Sequence, residues 1–224
     1  MKPLKITLSA FLTIFALAET QVKANTITEP LQDTGSLKTE LNNVPLTLTL
    51  FDSNLGTLTG VSIQVWGYMN ANGSLTNMSA STQTFTFRQD TAYTMTDRTG
   101  STLDTALSNL NIDPRASQSY NMPGGSTASY SPSIQSATTT LTAPANASLS
   151  DFQKAGGGSD TIYVTTLTGD TFSGGGGNIQ TAITTYGEAK IQAIYTYTPV
   201  AVPEPSSLLL VGSALMGLCF YRRR

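Results

Sequence analysis

Apolar and polar residues alternate in several short stretches of this chain, and a period of two is the pattern of half-buried β-strands. The clearest stretches are residues 46–51, 58–68, 83–88, 137–141, 161–167 and 189–198. Turn residues at 52–56 separate the first two stretches, which are predicted to form an antiparallel pair. Asn72-Gly73 is a strong hairpin signal between the second and the third. The side chains predicted to face inward include Leu46, Leu48, Leu50, Val61, Ile63, Val65, Phe85, Phe87, Ile191, Ala193, Tyr195 and Tyr197.

One stretch has the spacing of a short helix instead. Its apolar residues are Leu103, Ala106, Leu107 and Leu110. Ser101 and Asp104 stand three residues apart at its start and are predicted to form a capping box. Residues 116–136 are rich in Ser, Tyr, Gly and Pro, and they are predicted to form a long surface excursion with a turn at 122–125. The glycines at 174–177 predict a flexible loop.

Composition supports a β-rich fold. Residues 25–199 contain 33 threonines and 19 serines, and threonine favours strands because its branched β-carbon fits a pleated sheet. At least seven short strands and at most one short helix predict an all-β fold, an antiparallel β-sandwich of jelly-roll-like type. The length of this region suits one domain.

Three adjoining segments stand at the C-terminal end. They are Val202, Pro203, Glu204 and Pro205, then the uncharged apolar run 208–221, then Arg222, Arg223 and Arg224. The prolines fix the start of a helix, and the apolar run predicts a single transmembrane helix, although it is short against the roughly 20 residues that a span needs. The arginines are predicted to lie in the cytoplasm, with the preceding chain on the other side of the membrane.

The N-terminal stretch has the three-part layout of a secretory signal peptide. Two lysines precede an apolar run at 6–18, and small residues follow it. This layout predicts Sec-type export and removal of the leader. Ala24 is the preferred cleavage position, and Ala18 is the alternative.

The C-terminal order of Pro203-Glu204-Pro205, one span and a basic tail resembles the PEP-CTERM sorting signal of bacterial exported proteins. The resemblance implies an exosortase as the processing partner, with cleavage near the motif. An ordinary C-terminal membrane anchor is the alternative. The chain then divides into a signal peptide at 1–24, a domain at 25–199 and a sorting signal at 200–224.

Two stretches of the domain carry a second resemblance. Residues 44–61, which include Phe51-Asp52 and a Leu-Gly-Thr-Leu-Thr sequence at 55–59, are similar to the signature of the choice-of-anchor E domain. Residues 189–198 are similar to the closing strand of that domain. The resemblance implies an exported surface protein and supplies no molecular activity.

Composition excludes several kinds of chemistry. The chain has no histidine, and its one cysteine, Cys219, lies in the apolar run. Serine–histidine and cysteine catalysis and histidine-ligated metals are therefore excluded. Residues 25–199 carry six basic and twelve acidic residues, a net charge of −6, which argues against a nucleic-acid partner. No cofactor is expected.

Carboxylates and aromatic rings remain as candidates. The acidic sets are Asp97, Asp104 and Asp113, and Asp151, Asp160 and Asp170. Their spacing matches no calcium loop, and solvated turn carboxylates are the favoured interpretation. Trp66 and Tyr68 are a candidate stacking platform for sugar rings, although the favoured alternative is that Trp66 is a core residue or fills a sheet face. The glycines at 174–177 lack the Lys-Ser/Thr that follows a phosphate-binding loop.

These patterns predict a non-enzymatic exported protein with no catalytic, cofactor-binding or metal-binding residues. It is expected to be a membrane-anchored precursor that is then held at the cell surface or released. Its expected role is structural or associated with exopolysaccharide. The alternatives are a carbohydrate-binding module that uses Trp66 and Tyr68, and, less favoured, a polysaccharide-acting enzyme with a carboxylate pair.

Overall fold

The computed structural model describes residues 23–175 and 177–200. The signal peptide, apart from Lys23 and Ala24, and the whole sorting segment at 201–224 lie outside the described residues. The strands are β1 Asn25–Thr28, β2 Gln32–Asp33, β3 Leu37–Lys38, β4 Val44–Asp52, β5 Gly56–Asn77, β6 Gln83–Thr96, β7 Arg115–Met122, β8 Thr127–Tyr130, β9 Ser133–Gln135, β10 Thr139–Ala143, β11 Gln153–Lys154, β12 Gly158–Gly174 and β13 Ile179–Pro199. Helix α1 spans Thr102–Ser108, and short 3-10 turns cover Ser53–Leu55 and Leu149–Phe152.

The strands form two sheets. In the first sheet, β1, β13, β5 and β10 are neighbours in that order, β2 and β3 also pair with β13, and β8 and β9 pair with β5. In the second sheet the order is β11-β4-β12-β6-β7. The pairs are antiparallel except β11 with β4. The predicted all-β class is confirmed.

The core lies between the inner faces of the two sheets. One cluster includes Ile63 and Val65 from the first sheet and Ile162 and Val164 from the second, all fully buried. A second cluster is centred on other buried side chains, among them Met69, Leu75, Phe85, Phe87 and Tyr130. The period-two pattern identified Phe85, Phe87 and the inner residues at 61–65 and 191–195, because these alternate with polar neighbours. It did not identify the other members of the second cluster.

Tyr195 joins the sheets directly. Its side chain is fully buried, and its ring lies 5.9 Å from that of Phe51 on β4. Its hydroxyl donates a hydrogen bond of 2.5 Å to the carbonyl oxygen of Thr49. Burial raises the pKa of the Tyr195 hydroxyl. This residue therefore anchors β13 to the second sheet by both packing and a hydrogen bond.

The predicted pairing of the first two strands is wrong. β4 pairs with β12, where Leu46 is opposite Ile162, whereas β5 pairs with β13. The Ser53–Leu55 turn and Gly56 carry the chain from the second sheet to the first. Neighbouring strands in sequence thus face each other across the core, and their inward residues pack without sharing a ladder.

The predicted hairpin at Asn72-Gly73 is also wrong, because both residues lie inside β5. A Cβ atom at Gly73 would lie 2.1 Å from the carbonyl oxygen of Ala182 and 2.6 Å from the Cα of Ile183. The glycine is needed for close approach of the β5 and β13 backbones. An Asn-Gly sequence inside one long strand therefore gives the sequence pattern of two shorter strands joined by a turn.

Residues 116–136 were predicted to be a surface excursion, and this is wrong as well. They contain most of β7 and all of β8 and β9. Their inward residues are few, chiefly Ala116, Tyr120, Met122 and Tyr130. Serine, glutamine and asparagine occupy the exposed positions, so these edge strands lack a regular hydrophobic alternation. The predicted turn at 122–125 is confirmed.

The predicted helix is confirmed, together with half of its capping box. Ser101 is the N-cap, and its hydroxyl accepts a hydrogen bond of 3.0 Å from the amide of Asp104. The Asp104 carboxylate accepts from the amides of Asp97 and Gly100 rather than from that of Ser101. The strands near 139–143, 158–174 and 179–199 also agree with prediction, although the last two are longer than expected.

The N-terminal segment crosses from one sheet to the other. β1, β2 and β3 follow β13, and the Thr39 amide then donates to the Thr185 carbonyl. Leu41 is 3% exposed, and its amide donates to the Thr166 hydroxyl on β12. This segment closes one side of the core. Within residues 23–175 and 177–200, no helix is long and apolar enough to span a membrane.

Candidate functional site

Trp66 and Tyr68 lie side by side on the outer face of the first sheet. Strand alternation in β5 sends Val65 and Met69 into the core and places the two aromatic residues on the opposite side, where both are half-buried. Trp66 is therefore not a core residue. The structure brings together the two residues that the sequence singled out.

Charged side chains from β13 adjoin this pair. Lys190 is opposite Trp66, and Glu188 is opposite Tyr68. Lys190 Nζ lies 2.9 Å from Glu188 Oε1 and 4.9 Å from the centroid of the Tyr68 ring. The Glu188 carboxylate raises the pKa of Lys190. We call these four residues the Trp66 face. In it, the opposite charges of Lys190 and Glu188 compensate each other beside the rings of Trp66 and Tyr68.

Amide side chains continue the Trp66 face toward one end of the sheet. Gln64 and Gln192 are register partners on β5 and β13, and both point outward. The side-chain amide of Gln192 donates 3.2 Å to the carbonyl oxygen of Glu29. Rings beside amide and charged groups offer stacking and hydrogen bonding together, which are the contacts that suit a sugar.

Tyr93 supports this face from within the core. Its hydroxyl donates to the carbonyl oxygen of Tyr68 and accepts a 3.0 Å hydrogen bond from the amide of Glu188. A Cβ atom at Gly67 would lie 2.8 Å from the Tyr93 ring, and one at Gly187 would lie 2.8 Å from its hydroxyl. Burial raises the pKa of Tyr93. The two glycines thus leave room for the Tyr93 side chain. Its hydroxyl group then fixes the backbone of Tyr68 and Glu188 by hydrogen bonds.

The sequence interpretation missed Tyr93 and its two glycines. An isolated glycine within an alternating strand signals a close approach of another group, and both Gly67 and Gly187 stand at inward positions of their strands. The pattern could have indicated a large side chain crossing the core. It could not have identified which one.

The carboxylates of the first acidic set organise a loop. Asp97 is 7% exposed and accepts hydrogen bonds from the Thr99 amide and the Ser101 hydroxyl. The Thr96 hydroxyl holds the pKa of Asp104 below its usual range. These oxygens are engaged by protein donors around the start of α1.

The other acidic residues are dispersed. Asp113 pairs with Arg115, Asp151 accepts from Thr102 and from the Leu103 amide, and Asp170 accepts from Gln89. Among the residues that the structure describes, no group of three or more histidine, cysteine, aspartate or glutamate side chains could hold a metal ion. Neither predicted acidic set forms a ligand cluster there.

A cleft of about 500 Å³ opens between the free edges of β7 and of β8 and β9. Arg115 and Ser117 line one wall, and Pro132 and Ile134 line the other. Tyr130 closes its base with a buried hydroxyl that has no hydrogen-bond partner, and burial raises the pKa of this residue to about 12. Sequence reasoning gave no indication of this cleft because it treated both walls as irregular chain.

The exit of β13 is the last described part of the chain. Pro199 is opposite Gly56, and the amide of Val200 donates 3.2 Å to the carbonyl oxygen of Leu55. Ala24, the predicted cleavage position, is exposed and immediately precedes β1. Val202, Pro203, Glu204, Pro205 and Arg222, Arg223 and Arg224 lie outside the described residues.

The segment that follows this exit has a known counterpart. Residues 201–224 match the PEP-CTERM protein-sorting motif. The match covers the Pro-Glu-Pro sequence, the apolar run and the arginine tail, and it supports an exported protein that is sorted by an exosortase. It also supports a membrane-associated precursor. The choice-of-anchor E resemblance of residues 25–199 stays a prediction.

Comparison with solved structures gives weak likenesses to structures of infectious bursal disease virus. The infectious bursal disease virus VP2 subviral particle is 14% identical with a TM-score of 0.22, covering 80% of this chain and 38% of that chain. The virus of the Gx strain is 12% identical with a TM-score of 0.19, covering 80% and 37%. This chain thus spans under two fifths of either. No curated protein matches the chain.

Proposed function

We propose that this chain is the precursor of a bacterial surface or matrix protein that is anchored by its C-terminal segment and then cleaved by an exosortase. The match of residues 201–224 to the PEP-CTERM motif carries the proposal. A signal peptide would begin export, and the apolar run would stop it. The exosortase would then separate the domain from its anchor.

The chemistry of the motif suits such a step. Proline disfavours a helix and favours extended backbone in the residue before it, so the Pro-Glu-Pro sequence would present a cleaving enzyme with no helix to unwind at Glu204. A charged glutamate is costly to bury in hydrocarbon and therefore belongs in the aqueous phase. The three arginines oppose transfer of the tail across the membrane.

We propose a structural, polysaccharide-associated role for the mature domain rather than an enzymatic one. Hydroxyl groups pair across its strands, as between Thr86 and Ser119 at 2.9 Å and between Thr76 and Thr127 at 2.9 Å. All four side chains are on outer or edge positions where they also meet solvent. Such surfaces supply many weak hydrogen bonds to hydrated glycans, and their affinity depends on the number of contacts.

Replacing Pro203, Glu204 and Pro205 with alanine is expected to leave the full-length precursor uncut in the membrane. The extended acidic site would be lost while the span and the arginines remain. Pulse–chase labelling of cells that contain the exosortase would measure the conversion. As a matched control, changing the three terminal arginines to lysine keeps the charge and should leave conversion unchanged. Normal processing of the alanine variant would refute the sorting proposal.

A second candidate function is carbohydrate binding at the Trp66 face. The outward, adjacent positions of Trp66 and Tyr68 beside Lys190 and Glu188 favour it. This candidate is compatible with sorting, since the ligand could be the polysaccharide that retains the protein.

Trp66→Ala is expected to weaken glycan binding about tenfold or more, equivalent to ~1.4 kcal/mol, because a ring face for stacking is removed. A glycan array followed by titration would measure it. Tyr163→Ala is the matched control, since Tyr163 lies on the other sheet beneath Arg98, and it should bind as the parent does. Equal binding by Trp66→Ala and the parent would exclude this site.

A further inference from the structure

The C-terminal end of β13 is held against the start of β5. Tyr197 is opposite Leu58, Thr198 is opposite Thr57, and the Val200 amide bonds to the Leu55 carbonyl. The Tyr197 ring also lies 5.1 Å from that of Phe51. The folded domain therefore continues to residue 200.

The sorting motif follows this folded end closely. Pro203 is three residues beyond Val200, and an extended chain advances at most about 3.6 Å per residue, so the two are separated by no more than about 11 Å. An enzyme that cleaves near Glu204 has to enclose the backbone on both sides of the bond. An enzyme bound there would therefore have to fit within this distance of the folded end.

We call the pairing of residues 197–200 with residues 55–58 the terminal ladder. Two of its features favour local opening. Its register shifts between Thr196 and Tyr197. β1 accompanies β13 only as far as Tyr197, so among the described strands Thr198 and Pro199 pair with β5 alone. Short, one-sided segments at chain ends are the parts of a protein that open at the lowest free-energy cost.

We propose that residues 197–200 must separate from residues 55–58 before the exosortase can cleave, and that the population of this open form sets the rate of processing. The inference rests on the sorting function proposed above. When opening and closing are fast, cleavage follows the population of the open form. The terminal ladder then acts as a gate that couples release of the protein to the local stability of its last strand.

Two variants change the gate in opposite directions. Thr57→Cys with Thr198→Cys, in a Cys219→Ser background, would place a disulfide across the ladder, since directly opposed residues on antiparallel strands have the Cα separation that a disulfide needs. A six-residue Gly-Ser insertion between Val200 and Ala201 would move the motif away from the domain. As a matched control, Thr76→Cys with Thr127→Cys links β5 to β8 elsewhere in the same sheet.

Pulse–chase labelling of the full chain would measure conversion in cells that contain the exosortase. The Thr57–Thr198 crosslink is expected to slow conversion about tenfold or more, because the open form is removed, and reductant should restore the rate. The Gly-Ser insertion should speed conversion and cancel the effect of the crosslink. The Thr76–Thr127 crosslink should leave the rate unchanged.

Equal conversion of the Thr57–Thr198 variant with and without its disulfide, verified by mobility on a non-reducing gel, would overturn the gate. The sorting proposal would survive that result, because it depends on the separate Pro203–Glu204–Pro205 alanine variant. If that variant were processed normally, the sorting proposal itself would fail. The two failures are thus distinguishable.

Discussion

Tyr195→Ala is expected to lower the free energy of unfolding by about 3–5 kcal/mol, the range for truncating a large buried aromatic side chain. Tyr195 is fully buried between β13 and β4, where its ring meets Phe51 and its hydroxyl bonds to Thr49. Truncation removes both contacts and leaves a cavity between the sheets. Urea unfolding of the processed protein, followed by circular dichroism, would measure the change.

Tyr195→Phe separates the two contributions. It keeps the ring and loses the hydrogen bond, so a loss of about 1 kcal/mol is expected, or up to about 3 kcal/mol if the Thr49 carbonyl finds no other donor. A loss below 1 kcal/mol for the alanine variant would mean that Tyr195 does not hold the sheets together. Equal losses for the two variants would assign the whole effect to the hydrogen bond.

Gly73→Ala is expected to lower the free energy of unfolding by about 2–3 kcal/mol, at the upper end of the usual cost of overpacking. The new methyl group would lie 2.1 Å from the Ala182 carbonyl oxygen and 2.6 Å from the Ile183 Cα. Both are backbone atoms of the neighbouring strand, so neither can rotate away. The β5–β13 ladder would have to separate locally, which thermal and urea unfolding would detect.

Gly60→Ala provides the control in the same strand. A Cβ atom there would have its nearest contact at 3.7 Å, to the Cβ of Thr196 on the same partner strand. This is an ordinary contact, and alanine also reduces the freedom of the unfolded chain. We expect no loss of stability at this position. Equal losses for Gly60→Ala and Gly73→Ala would show that general strand propensity, and not close approach, explains the glycine.

The sequence was informative wherever a signal is local. Phe85 and Phe87 alternate with threonines, and Ser101 precedes an apolar helical spacing, so both elements could be located without knowledge of their partners. The sorting segment is likewise linear, since its three parts adjoin each other in the chain. Physical properties of a few neighbouring residues were sufficient in each case.

Strand pairing was not predictable in this way. β5 is followed at once by β6, yet it pairs with β13, more than 100 residues later. The turn residues at 52–56 indicated a change of direction but not a change of sheet. Which strands pair depends on burying the inner faces of both sheets together, and this burial is a property of the whole domain.

The candidate site was predictable only in part. Alternation placed Trp66 and Tyr68 on one face, but the opposing Lys190 and Glu188 come from a distant strand. Tyr93, which bonds to the backbone beneath them, belongs to the other sheet. Residues that reach a site across the core leave no pattern in the sequence near that site.

The position of β13 also determines when the first sheet can form. β13 is the last of the described strands, yet it lies between β1 and β5 and supplies the partner for β1, β2 and β3. Because a polypeptide is made from its N-terminus, β5 lacks its principal partner until residues 179–199 have been synthesised. A chain with such non-local pairing remains open during synthesis and closes late. The order of the strands is therefore expected to delay closure of the first sheet until residues 179–199 are available.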